Sequence, residues 1–136
     1  MAKALGIDYG TKRTGLAITD STQVIASGLT TILTNNIDSF IADIVLKEDI
    51  ACFVVGNPKN LDGTDTDVTS HINTFVKRLK RLYPTIFVHQ IDERFTSKIA
   101  KQSMLASGLK KKKRKNKALV DEISATIILQ NYLDYR

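Results

Sequence analysis

The run Ala51-Cys52-Phe53-Val54-Val55 carries no polar side chain. A stretch this short and apolar suits a strand covered on both faces, not one with a wet side. Covering both faces calls for helices on either side of a sheet, and the rest of the chain has that pattern. Residues 3–9 and 14–19 read as strands, and Gly10-Thr11-Lys12-Arg13 between them has the length and glycine content of a hairpin. Gly10 and Gly15 read as hairpin glycines. A third strand, rich in β-branched residues, is expected over 24–33. Helical spacing then puts Ile37, Phe40, Ile41, Ile44 and Val45 on one stripe of a helix over 36–47.

After the apolar run, Gly56-Asn57-Pro58 and Leu61-Asp62-Gly63 mark a loop. A helix over 66–82 aligns Val68, Ile72, Phe75, Val76, Leu79 and Leu82, and Pro84 follows it. A strand over 86–91 comes next. Thr96 or Ser97 can cap a further helix that closes near Gly108, and a final helix covers 118–135. The order β-β-β-α-β-α-β-α-α predicts an α/β fold. Its sheet is five-stranded and mixed, a three-stranded antiparallel meander plus two parallel strands, flanked by helices. At 136 residues, with no repeat or linker, residues 1–136 are expected to form a single domain.

Charge is concentrated in one place. Lys110, Lys111, Lys112, Lys113, Arg114, Lys115 and Lys117 supply seven of the 20 basic residues, and without them the net +6 becomes −1. Such a tract, read here as a flexible basic loop over 108–117, neutralises backbone phosphates and gives salt-dependent nucleic-acid binding. A solvated loop without a partner is the plainer alternative. The lone Cys52 excludes an internal disulfide and any multi-cysteine metal site. No apolar run approaches the roughly 18 residues of a membrane span, and the early Asp8 does not suit a signal peptide. A cytoplasmic protein without a membrane partner is expected.

Three acidic positions occupy costly places. Asp8 closes an apolar strand, Asp92-Glu93 ends another, and Asp121 lies in the first turn of the last helix. Asp121 heads a stripe continued by Ala125, Ile128 and Tyr132. A carboxylate on a buried stripe costs several kcal/mol unless a cation or strong donors compensate it. Capping or an ion pair explains any one of them. Three together suggest a shared cation, and Mg²⁺ or Mn²⁺ binds through a few carboxylates while leaving room for substrate phosphates. Period-two alternation sends Asp92 and Glu93 to opposite faces, so only one of that pair can join the others.

The motifs that carry these acids resemble those of the YqgF/RuvX family. Its opening motif is matched by Gly6-Ile7-Asp8-Tyr9-Gly10-Thr11-Lys12-Arg13-Thr14-Gly15-Leu16-Ala17, and its central strand and loop by Val54-Val55-Gly56-Asn57-Pro58 with Asp62-Gly63. Asp92-Glu93-Arg94-Phe95-Thr96-Ser97 is similar to the third motif. Asp121-Glu122-Ile123-Ser124-Ala125, leading to Ile127-Ile128-Leu129-Gln130, is similar to the last. Asn57 stands where the family usually has an apolar residue, on the loop after the fourth strand; Phe95 and Ser97 also differ mildly from the common pattern.

The resemblance implies a ribonuclease-H-like fold. It implies a metal-dependent nuclease that trims the 5′ end of pre-16S ribosomal RNA, with ribosomal precursor particles as possible partners. Members are also described as Holliday-junction resolvases acting on four-way DNA. It maps metal-binding, catalytic carboxylates onto Asp8, Glu93 and Asp121, with Asp8 bridging two Mg²⁺ or Mn²⁺ ions and Asp121 favoured by the helix dipole. Lys12, Arg13 and Arg94 beside them are candidates for gripping phosphate, or else form surface ion pairs. The basic tract becomes an arm over the bound strand.

Two rivals stay open. One is a non-catalytic RNA-binding factor in ribosome assembly. The other is a phosphate loop like that of the actin and sugar-kinase superfamily, for which 136 residues are too few to supply both domains. His71, His89, Cys52, Tyr132 and Tyr135 read as structural.

Overall fold

The computed structural model describes residues 2–57, 67–92 and 117–135. Its elements are β1 (Lys3–Tyr9), β2 (Arg13–Thr19), β3 (Ala26–Leu33), α1 (Ile37–Lys47), β4 (Ile50–Asn57), α2 (Thr69–Leu82), β5 (Phe87–Asp92) and α3 (Lys117–Tyr135). The loop expected beyond Asn57, the helix expected between Thr96 and Gly108, and the basic segment 108–116 lie outside the described residues. Lys117, counted with that loop, opens α3.

The five strands form one sheet in the order β3-β2-β1-β4-β5. β1 pairs antiparallel with β2, and β2 with β3, so the meander is as expected. β1 also pairs parallel with β4, and β4 with β5, through helical crossovers. The first strand therefore lies at the centre of the sheet. The apolar run sits beside it within β4, and Cys52, Phe53, Val54 and Val55 are all buried.

The two faces of the sheet differ in the size of their side chains. Leu5, Ile7, Leu16, Phe53 and Val55 point to one side and pack with Ile41 and Ile44 of α1 and Ile72, Phe75 and Leu79 of α2. Each such large side chain contributes roughly 1.5–3 kcal/mol on full burial. The other side carries Ala4, Ala17, Cys52 and Val54, and α3 lies against it through Ala125, Ile128 and Leu129. Small residues there let the helix come close. A β-carbon on Gly6 would stand 2.8 Å from Leu129 Cβ.

Three details differ from the expected pattern. The third strand begins at Ala26, not at Val24, because the amides of Val24 and Ile25 donate to the Asp20 side chain and are spent on a turn. Leu82 keeps the helical period of α2 but is 50% exposed, at the last residue of the helix. Asp121 sits past the first turn of α3, which holds no acid, so the helix dipole helps it less than expected.

Candidate active site

Asp8 is fixed by the pleat. Ala4 and Gly6 of β1 face α3, and alternation turns Asp8 the same way while Leu5 and Ile7 enter the opposite core. Directly across the β1–β2 ladder from Asp8 stands Gly15. A β-carbon on Gly15 would lie 2.0 Å from the carbonyl oxygen of Asp121. Only a residue without one lets the backbone of α3 rest on β2 at this level. Gly15 thus serves the approach of a helix, not the hairpin. Asp8 and Asp121, separated by most of the chain, flank this one glycine on the same face of the sheet. Both are half-buried.

A cationic group already meets Asp121. Arg13 Nε donates to Asp121 Oδ2 at 3.1 Å, with both side chains partly buried. The turn leading to Arg13 is held from below. Thr34 Oγ1 donates to the Gly10 carbonyl at 2.6 Å, and Thr34 N–H donates to the Lys12 carbonyl at 2.9 Å. With its one proton committed, Thr34 Oγ1 accepts from Thr14 Oγ1 at 2.8 Å. Thr14 and Thr34 are buried, while Thr11 and Lys12 above them are exposed. The result is a braced loop that holds Arg13 against Asp121 and leaves Lys12 exposed.

The remaining candidates divide plainly. Asp92 closes β5 opposite Asn57, on the face shared with Val88, which packs into the α1–α2 core. It therefore faces away from Asp8 and Asp121. Glu93, the other acid of that pair, lies outside the described residues, as do Arg94, Lys110, Lys111, Lys112, Lys113, Arg114 and Lys115. Among the described residues no group of three or more His, Cys, Asp or Glu side chains is arranged to hold a metal.

The RuvX family model, described as Holliday junction resolvase, matches residues 2–135. The chain belongs to the RuvX family. Among curated relatives, a protein of Flavobacterium johnsoniae named "Putative pre-16S rRNA nuclease" is 52% identical over 133 residues, covering 98% of this chain and 96% of its own. A protein of the same name from Bacteroides thetaiotaomicron is 49% identical over 134 residues, covering 98% and 97%. Among solved structures, T. thermophilus RuvC in complex with a Holliday junction substrate superposes with a TM-score of 0.58 at 14% identity, covering 98% of this chain and 94% of RuvC. That likeness establishes the ribonuclease-H-like fold. With these relatives across nearly its full length, this RuvX-family chain is a nuclease, an enzyme that hydrolyses phosphodiester bonds and binds nucleic acid.

Three features of this RuvX-family chain escape its sequence. The Arg13–Asp121 ion pair joins residues 108 apart, beyond the reach of any local pattern. Asn57 is the last residue of β4, not part of the loop after it, and its Oδ1 is buried without a hydrogen-bond partner. Ser124, 1% exposed on α3, likewise has an unpartnered Oγ. Its only signal in sequence is a small polar residue three positions after Asp121 on an otherwise apolar stripe. His89 stacks on Phe87 and meets Tyr132 at a tilt, and His71 is exposed on α2. Cys52 Sγ, buried, approaches Tyr132 Oη at 3.9 Å. Among the described residues no helix is long and apolar enough to cross a membrane.

Proposed function

We propose that this RuvX-family nuclease processes the 5′ end of pre-16S ribosomal RNA, using Mg²⁺ or Mn²⁺ held by Asp8, Glu93 and Asp121. The observation that supports the reading is that Asp8 and the backbone of Asp121 both border Gly15, on one face of the sheet. Both offer carboxylate oxygens, the donors that hard divalent cations take. The Arg13 guanidinium against Asp121 supports the same conclusion, because the position already attracts positive charge. Glu93 enters through its place in the sequence: it follows Asp92, whose side of the sheet is the wrong one.

Ions bound there would activate a water for attack and stabilise the leaving oxygen. The protein's own part is to hold the carboxylates and the scissile phosphate in register. β1 and α3 fix Asp8 and Asp121 through backbone packing. The braced turn at Gly10 keeps Lys12 and Arg13 where a phosphate oxygen can receive them, with Arg94 as the further cation beside Glu93. The named relatives favour ribosomal RNA as substrate.

The deciding experiment offers 5′-extended pre-16S RNA and, separately, a four-way DNA junction, each with Mn²⁺, with Mg²⁺ and with EDTA. RNA cleavage that requires metal and falls by at least about 10²-fold in Asp8→Asn is the expected result. Paired cuts in the junction alone would transfer the activity to DNA. Tight binding without cleavage of either would leave an assembly factor in place of an enzyme.

A further inference from the structure

Ser124 is the most buried polar residue among the described side chains of α3, and its hydroxyl has no hydrogen-bond partner. A buried hydroxyl on a helix has an easy remedy, which is to donate to the carbonyl four residues back. Thr126 on the same helix does so, to the Glu122 carbonyl at 2.9 Å, and Thr74 does so on α2, to Ser70 at 3.0 Å. Ser124 does not. Buried groups left unpaired in this way are rare, and each calls for an explanation.

Its position supplies one. Residues three apart on a helix are surface neighbours, and helical side chains lean toward the N-terminal end, over the preceding turn. The turn before Ser124 on that side belongs to Asp121. Asp121, however, is drawn to Arg13 from β2. A divalent cation competes with that guanidinium for the same carboxylate. Once Asp121 turns from Arg13 to a cation, it gives up that donor, and the Ser124 hydroxyl one turn further along the helix is an unspent one.

We infer that Ser124 is a positioning residue for Asp121: when the site is loaded, its hydroxyl donates to the Asp121 carboxylate and takes over from Arg13, which is released toward the substrate phosphate. The inference rests on Asp121 being a metal ligand, as proposed above. Hydrogen bonds to a ligating carboxylate typically change metal affinity by about 10–100-fold, so the role can be read without any turnover.

The test measures Mn²⁺ binding by calorimetry and melting without metal, for the full-length wild type, Ser124→Ala, Ser124→Thr and Asp8→Asn. Ser124→Ala is expected to bind Mn²⁺ about tenfold more weakly, while its metal-free melting temperature stays level or rises, because an unpaired buried hydroxyl has been removed. Unchanged Mn²⁺ affinity in Ser124→Ala overturns the inference, whatever the melting temperature. If affinity and melting temperature both fall, Ser124→Thr decides. Recovered affinity with the hydroxyl restored supports the role, and no recovery overturns it. Asp8→Asn separates the two levels. Loss of binding there with none in Ser124→Ala defeats only the serine, whereas wild-type affinity in Asp8→Asn defeats the metal site itself.

Discussion

Gly15 shows how much of the site hangs on one missing methyl group. The Asp121 carbonyl occupies the space a β-carbon would take, so Gly15→Ala must push α3 off β2. Overpacking of this kind costs about 1–3 kcal/mol, and here it also separates Asp121 from Asp8. The expected outcome is a urea midpoint lowered by that amount, together with a loss of nuclease activity larger than the loss of folded protein. Wild-type activity in a folded Gly15→Ala would show that the spacing of the carboxylates is not critical. At this scale the sequence was partly legible. Asp8 and Asp121 stood out because an acid among Ile7, Tyr9, Ala125 and Ile128 is expensive. Gly15 is visible in the sequence, but a glycine beside a turn looks the same whether it serves the turn or an approaching helix. Ser124 gave almost no signal, because serine is at home on surfaces and in cores alike.

At the scale of elements, the β2–β3 connection shows a polar side chain deciding where a strand begins. The Thr22 hydroxyl and the amides of Ile25 and Val24 all donate to Asp20, and they hold its carboxyl well below the usual carboxylate range. Gln23 completes the turn in the left-handed region, at φ 54°. A depressed folded value means that the unfolded chain binds the proton more tightly. The stabilisation is therefore complete above the ordinary carboxylate value and is lost as pH falls toward the folded one. Asp20→Ala should melt below the wild type at pH 7, and the gap should begin to narrow below about pH 4. A gap constant across that range would mean that the turn does not depend on the charge. Apart from such boundaries, the described elements were legible, because period-two and period-3.6 patterns survive wherever one face is buried. Val24 and Ile25 misled for the opposite reason. They have strand propensity, yet both are exposed and their amides are engaged by Asp20.

For the whole molecule, the topology followed from the meander, the apolar run of β4 and the alternating helices. Packing distances did not, because they depend on which small residues of β1 and β2 happen to face the same helix. The charge distribution carries a prediction of its own. With Lys110, Lys111, Lys112, Lys113, Arg114 and Lys115 replaced by Ala, single-stranded RNA should bind more weakly, and Mn²⁺ affinity should not change. The slope of log affinity against log salt should fall by about 0.7 for each phosphate contact removed. Fluorescence anisotropy across a salt series measures it, and an unaltered slope would show that the tract does not touch the backbone. The long span between Arg13 and Asp121 has a different consequence, one of timing. All five strands are encoded by residue 92, but the helix that brings Asp121 to Asp8 begins at Lys117. Synthesis runs from the N-terminus, and a domain folds as a unit. A ribosome making this nuclease therefore carries an unarmed chain, and the blade is fitted only as α3 emerges.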